Sequence, residues 1–170
     1  VVAGNNLDMK FALNPALMSD WTGYKVVLTR TFGDGRAAET LTMMVTDLGI
    51  EQGFYAVPYT NLAAKMMSDE ITLTVVNPEG QTISKPWVDS MRAYALRILN
   101  NPKKTEVEKK VLVDMLIYGA ESQLYFGYDV ENLATEVLTD ADGSPLMLDD
   151  HVTGRALDEW LYEVLGAVGA

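Results

Sequence analysis

Large apolar side chains fall on alternate positions in Leu7-Asp8-Met9-Lys10-Phe11-Ala12-Leu13, which predicts a strand with one buried and one wet face, ended by Asn14-Pro15. Tyr24, Val26 and Leu28 repeat the pattern before Gly33-Asp34-Gly35, which supplies the positive-φ residues of a turn, and Leu41, Met43 and Val45 form the answering strand. Tyr55, Val57 and Tyr59 make a third alternation. Ile71, Leu73 and Val75 make a fourth, closed by the turn Asn77-Pro78-Glu79-Gly80. A last strand is expected over Gln81 to Lys85, and a short helical crossing over Asn61 to Met67, where Leu62, Met66 and Met67 fall at helical spacing.

The period changes to 3.6 after Trp87. Met91, Tyr94, Ala95, Ile98 and Leu99 line one side of a helix stopped by Asn100-Asn101-Pro102. Thr105 and Glu108 have the spacing of a capping box, so a second helix starts there. Its expected buried stripe is Val107, Val111, Leu112, Met115, Leu116 and Gly119, and Gly127 ends it after Phe126. Val130 to Leu138 is expected as a short third helix. After the loop Thr139 to Pro145, Arg155 to Leu165 is expected as a last one, with Leu157, Leu161 and Val164 on one face.

Strands first and helices after, with hairpin turns every 10 to 15 residues, predict an α+β fold. Residues 1–87 form an antiparallel Ig-like β-sandwich and residues 88–170 a helical region packed on it as one compact unit. Nothing repeats internally, and no long linker divides the two parts.

Composition narrows the function classes. Thirteen basic side chains against 24 acidic ones give a net charge of -11 in 170 residues, which argues against nucleic-acid binding, since phosphate recognition needs clustered Lys and Arg. Residues 89–110 hold six basic and three acidic side chains, whereas residues 111–170 hold one basic and 12 acidic. A solvated surface is the simplest account of that asymmetry. No apolar run reaches the ~20 residues of a membrane helix. With no Cys and a single His, thiolate or multi-imidazole zinc sites and Cys/His or Ser/His catalysis are disfavoured. A first residue of Val rather than Met suits an excised piece or a mature product of a secreted parent.

The stretch Val113-Asp114-Met115-Leu116-Ile117-Tyr118-Gly119-Ala120-Glu121-Ser122-Gln123-Leu124-Tyr125-Phe126-Gly127-Tyr128, followed by Glu131-Asn132-Leu133-Ala134, is more specific. It resembles a "DMLNYGAAAQ-YF-Y…NLA" signature of a module that recurs in large secreted or cell-surface proteins of gut and rumen Firmicutes. Gly4-Asn5-Asn6-Leu7-Asp8-Met9, Ala63 to Ile71 and Ser90-Met91-Arg92-Ala93-Tyr94-Ala95 are similar too, so the resemblance covers Asn5 to Leu138. It departs at Ile117, Glu121 and Ser122, where the signature has Asn, Ala and Ala, and it does not reach the last thirty residues. The resemblance implies an extracellular, multimodular context and no particular chemistry. Physically, Gly119 and Ala120 would let another element approach closely, and Tyr118, Tyr125, Phe126 and Tyr128 would cover the end of a sandwich. Asp114, beside an apolar stripe, needs a partner such as Arg92, Arg97 or a backbone N–H.

Three candidate sites remain. Asp140, Asp142, Asp149 and Asp150 with Ser144 offer oxygen ligands for calcium, but Pro145 stands where an EF-hand loop needs Gly and His151 where it needs Glu, so a solvated acidic loop is the simpler reading. Of the tryptophans that could stack on a sugar ring, Trp21 lies in the polar loop Ser19 to Gly23 and is the best exposed candidate. Trp87 and Trp160 read as core, with Trp87 kept as a second ligand-binding candidate. The paired carboxylates Asp149-Asp150 and Asp158-Glu159 point apart on a helix, which disfavours glycosidase chemistry, and no phosphate loop or nucleophile elbow is present. The expectation is a non-catalytic accessory module, a spacer or protein-interaction unit that contacts other domains of its parent or a surface protein. A carbohydrate-binding module is the alternative.

Overall fold

The computed structural model describes residues 6–136. Their fold is α+β, with two antiparallel sheets of three and four strands and two α-helices. The first sheet has the order β1-β5-β4, from β1 (Asn6–Leu13), β4 (Ile50–Glu51) and β5 (Phe54–Ala63). The second has the order β3-β2-β6-β7, from β2 (Lys25–Thr31), β3 (Glu39–Met44), β6 (Glu70–Val76) and β7 (Trp87–Asp89). The helices are α1 (Met91–Leu99) and α2 (Glu106–Phe126). By their contacts the described residues divide into a strand unit, residues 6–63 and 69–89, and a helical unit, residues 64–68 and 90–136. No helix among the described residues is long and apolar enough to cross a membrane.

In the strand unit the expected alternation is realised. Met9, Phe11 and Leu13 of β1 are buried between exposed Asp8, Lys10 and Ala12, and Phe11 pairs with Val57 of β5. Central β2 buries Val26, Leu28 and Arg30, opposite Val75, Leu73 and Ile71 of β6. Gln52 and Gly53 both take positive φ (49° and 83°), the requirement of a type I′ hairpin between β4 and β5. Strand β5 runs on to Ala63, so the helical crossing expected from Asn61 shrinks to a 3-10 turn at Ala64–Met66. Asn61 is instead the extra residue of a bulge opposite β1, at φ 65°, with its N–H donating to Asp8 Oδ1 at 3.1 Å. The strand expected over Gln81 to Lys85 reduces to a single bridge between Val76 and Thr82. There the Val75 N–H is taken by the Ser84 hydroxyl at 2.8 Å rather than by a backbone carbonyl, and pairing resumes only at β7, beyond Pro86.

The unusual member of this core is a charge. Arg30 Nη2 and Nε donate to Asp69 Oδ2 at 2.8 and 3.0 Å, the Gly33 N–H donates to Asp69 Oδ1 at 3.1 Å, and the two side chains are 6% and 0% exposed. Phe32 and Tyr59 place their rings 4.3 and 5.9 Å from the guanidinium carbon. Tyr59, from the other sheet, meets Arg30 Nη1 at 3.5 Å and donates to Glu39 Oε2 at 3.4 Å. A buried pair satisfied this fully ties β2, β3, β5 and the entry to β6 into one register.

In the helical unit both N-termini are capped, the second as its sequence predicts. Ser90 Oγ accepts from the Ala93 N–H at 3.0 Å, and Thr105 and Glu108 form the reciprocal capping box. Gly127 ends α2 in the left-handed region at φ 61°. Gly119 permits the close approach expected of it. A Cβ there would stand 2.5 Å from Met67 Sδ and 3.2 Å from the Ala64 carbonyl oxygen, so the 3-10 turn lies directly on the helix. The last expected helix, Arg155 to Leu165, lies outside the described residues.

Asp69→Asn leaves Arg30 charged and buried without a counterion, and is expected to lower unfolding stability by about 3–5 kcal/mol in a urea titration. Replacing the pair together, Arg30→Met with Asp69→Leu, should recover most of that loss. Burial raises the Tyr59 phenol above its ordinary range and the Glu39 carboxylate adds to this, against the opposing effect of Arg30. The folded state therefore holds that proton more tightly than the unfolded chain does. Its contribution to stability is intact below the ordinary phenol pKa and is lost as pH rises through the raised one. A tyrosinate absorbance titration should show a late component that Tyr59→Phe removes.

Candidate functional site

Helix α2 carries two apolar faces. Val113, Leu116, Ile117, Gly119, Ala120 and Gln123 are buried, and their spacing of three and four residues marks one continuous packed stripe. Val107 and Val111, expected in that stripe, are 73% and 61% exposed. At 100° per residue they fall on the opposite side of the helix, in line with Tyr118 and Tyr125. Tyr118 (61% exposed), Tyr125 (85%) and Phe126 are therefore surface groups rather than the cover of a sandwich end, and only Tyr128 of that quartet is buried. From Val107 to Tyr125 the outer stripe extends roughly 27 Å. Asp114, half-buried, and Glu121, exposed, sit between its apolar members. At its C-terminal end Tyr125 and Phe126 meet edge to face at 5.0 Å, and Lys65 Nζ lies 4.7 Å over the Phe126 ring on the flank.

Gln123 organises the chain beyond the helix. Its side chain is fully buried, its Nε2 donates to the carbonyls of Asp129 and Asn132 at 3.2 and 3.1 Å, and its Oε1 accepts from the Ala134 N–H at 2.8 Å. Those backbone groups are the ones a helix from Val130 would use internally. Residues 130–136 accordingly form turns instead of the expected third helix. Arg92 clamps the same loop, with Nη1 donating to Asn132 Oδ1 at 2.6 Å and to the Leu133 carbonyl at 3.0 Å. Gly127, which ends the helix, buried Tyr128, and Asn132-Leu133-Ala134, which the two side chains hold, thus have structural work. Neither Gln123 nor Arg92 emerges from the sequence as a loop organiser, although a polar Gln three residues after Ala120, on the packed spacing, is the signal that points to the first.

The two tryptophan candidates exchange places. Trp21, expected to be exposed, is 7% exposed: its Nε1 donates to the Pro15 carbonyl at 2.9 Å and its ring meets Tyr24 and Tyr55 edge to face at 5.7 and 6.1 Å. It is a plug over the loop, with no free face for a ligand. Trp87, expected in the core, is 60% exposed on edge strand β7 beside exposed Val88. Asp140, Asp142, Asp149, Asp150 and Trp160 lie outside the described residues. Among the described residues no group of three or more His, Cys, Asp or Glu could hold a metal ion.

Gln123→Leu fills the same space but orphans three backbone groups. We expect a loss of about 1–3 kcal/mol or more in denaturant unfolding, with amide exchange at Ala134 accelerated toward that of an open loop.

Comparison with family models finds no match, and comparisons with curated proteins and with solved structures find none either.

Proposed function

We propose that the chain is a non-catalytic protein-interaction module of a secreted or cell-surface multimodular bacterial protein, and that the outer face of α2 is its contact surface. The observation that carries this reading is the second apolar stripe of α2. Once Val113, Leu116, Ile117 and Ala120 have been packed, the helix still presents Val107, Val111, Tyr118 and Tyr125 to water. A solvent-facing helix of a soluble fold is ordinarily polar there, and an aligned apolar strip with interspersed carboxylates is the composition of a protein contact. The resemblance of residues 113–134 to modules of large Firmicute surface proteins supports the location, and the partners it suggests are neighbouring domains of the parent or a second surface protein. The lack of Cys and the single His support a binding rather than a catalytic role.

The strand unit suits such a context as an immunoglobulin-like sandwich. Its sheets follow the B-E-D and C′-C-F-G orders of that fold if β1, β5 and β4 are B, E and D, and β3, β2, β6 and β7 are C′, C, F and G. One observation favours a second reading, carbohydrate binding: the indole of Trp87 stands exposed on β7, where it can stack on a pyranose ring.

A photo-crosslinking residue in place of Tyr118, in the parent polypeptide on intact cells, should give discrete protein adducts that the same residue at exposed Glu79 does not. A glycan array run with the isolated chain should stay silent. No adducts from Tyr118, together with specific glycan binding lost in Trp87→Ala, would establish the sugar reading in its place.

A further inference from the structure

We infer that a second copy of this chain pairs with the open edge of β1 and joins two three-stranded sheets into one, independently of what the outer face of α2 binds. Strand β1 is an edge strand of eight residues, and among the described residues no strand lies on its other side. The direction of its backbone groups follows from its partner. The Ala56 N–H of β5 donates to the Gly49 carbonyl at 2.8 Å, away from β1, so by alternation Tyr55, Val57 and Tyr59 turn their groups toward Leu13, Phe11 and Met9. Pro58, opposite Lys10, faces away from β1 and needs no N–H there. The N–H and C=O groups of Asp8, Lys10 and Ala12 therefore point out of the sheet edge, and all three side chains are exposed. An edge of this kind is a template for another strand.

The side chains choose the occupant and the register. In an antiparallel copy centred on Met9, Asp8 faces Lys10 of the copy and Lys10 faces its Asp8. Both residues of each such pair turn their backbone groups to the partner, so each pair exchanges two hydrogen bonds across a two-fold axis. On the buried face Met9 meets Met9, and half-buried Leu7 meets Phe11 of the copy. Sliding one copy by two residues sets Lys10 against Lys10 or Asp8 against Asp8. Sliding by one turns the buried face to water, and an in-register parallel copy sets like beside like. Charges on an edge strand ordinarily block pairing; here they block the neighbouring self-registers and favour this one. Asp8 already accepts the Asn61 N–H through Oδ1, which leaves Oδ2 for the copy. Lys10 leans across β5 to Glu51 at 2.8 Å, but with the two side chains 55% and 57% exposed that pair holds weakly, and the lysine turns to the copy's Asp8 as the edge is covered. The other edges lack such a code. Strands β4 and β7 have two and three residues, and β3 turns the backbone of Thr40, Thr42 and Met44 outward, without a charge to fix a register.

Sedimentation equilibrium of the full chain from about 0.01 to about 1 mM should show a reversible dimer with a dissociation constant of about 0.1 mM, as suits a small interface. Asp8→Lys and Lys10→Asp should each weaken self-association at least about tenfold, and an equimolar mixture of the two variants should regain the dimer, because each then supplies the charge the other lacks. A variant that had merely misfolded would not be rescued in this way. Ala12→Pro removes an N–H that only the copy uses, and should weaken the dimer while leaving the thermal unfolding of the monomer unchanged. The chain has no Cys, so Met9→Cys should form a disulfide-linked dimer on mild oxidation, whereas Ala12→Cys, about 20 Å from its own copy, should not. A monomer at every concentration, a mixture that stays monomeric, a dimer indifferent to Ala12→Pro, or the reverse cross-linking pattern would overturn the inference. So would self-association that Tyr118→Ala abolishes and Ala12→Pro spares, which would assign it to α2 instead.

Discussion

Gly119 offers no side chain to the 3-10 turn at Ala64–Met66, and this contact sets the rotation of α2 about its own axis. A helix can pack this closely only along the line where it is smooth, and on α2 that line passes through Gly119 and Ala120. Val113, Leu116 and Ile117 sit within a turn or two on the same side, so they are buried with it. Val107, Val111, Tyr118 and Tyr125, half a helical turn away, face water as a consequence. Turning the helix to bury Tyr118 would drive a phenol into the space that Gly119 leaves for Met67 and the Ala64 carbonyl. The exposed stripe is the geometric complement of the packed one rather than an independent feature of the surface.

The same packed line explains why the chain after Gly127 does not continue as a helix. Gln123 occupies an apolar-spaced position, and a buried amide must find partners for both of its ends. It finds them in the carbonyls of Asp129 and Asn132 and in the N–H of Ala134, which draws residues 129–134 back over the helix end. Arg92 holds the loop from the other side through Asn132 and Leu133. Asn132 and Leu133, conspicuous in the sequence for no evident reason, are the residues gripped. One buried side chain and one guanidinium do the work that helical hydrogen bonds do elsewhere.

What the sequence made legible follows from how local each determinant is. The capping box at Thr105, the terminating Gly127 and the strand alternation of Leu7 to Leu13 are decided by residues within one turn or one pleat, and each stands as its sequence predicts. The rotation of α2 was not legible. Its sequence holds two apolar stripes, Val107-Val111 and Val113-Leu116-Ile117-Ala120, and periodicity ranks neither until the turn that meets Gly119 is known. The tryptophans fail for the same reason. A polar loop argues for exposure of Trp21, but the Pro15 carbonyl and the rings of Tyr24 and Tyr55 supply a buried seat. An apolar junction argues for burial of Trp87, but β7 is an edge strand. The burial of Arg30 leaves no local trace in the sequence, because its partner Asp69 is 39 residues away.

The demands of folding are thereby spread unevenly along this chain. The strand unit meets its most expensive demand, a buried ion pair, with complete hydrogen bonding across its two sheets, so β2, β3, β5 and β6 have little freedom to rearrange around a ligand. In the helical unit a single face of α2 bears the packing, through Gly119, Ala120 and Gln123. The side chains opposite contribute almost nothing to burial within the unit. Substitutions along Val107, Val111, Tyr118, Glu121 and Tyr125 are therefore cheap for the fold, and this face can change its chemistry while the packed one stays as it is. A surface whose composition is free of folding demands is one that a binding partner can shape.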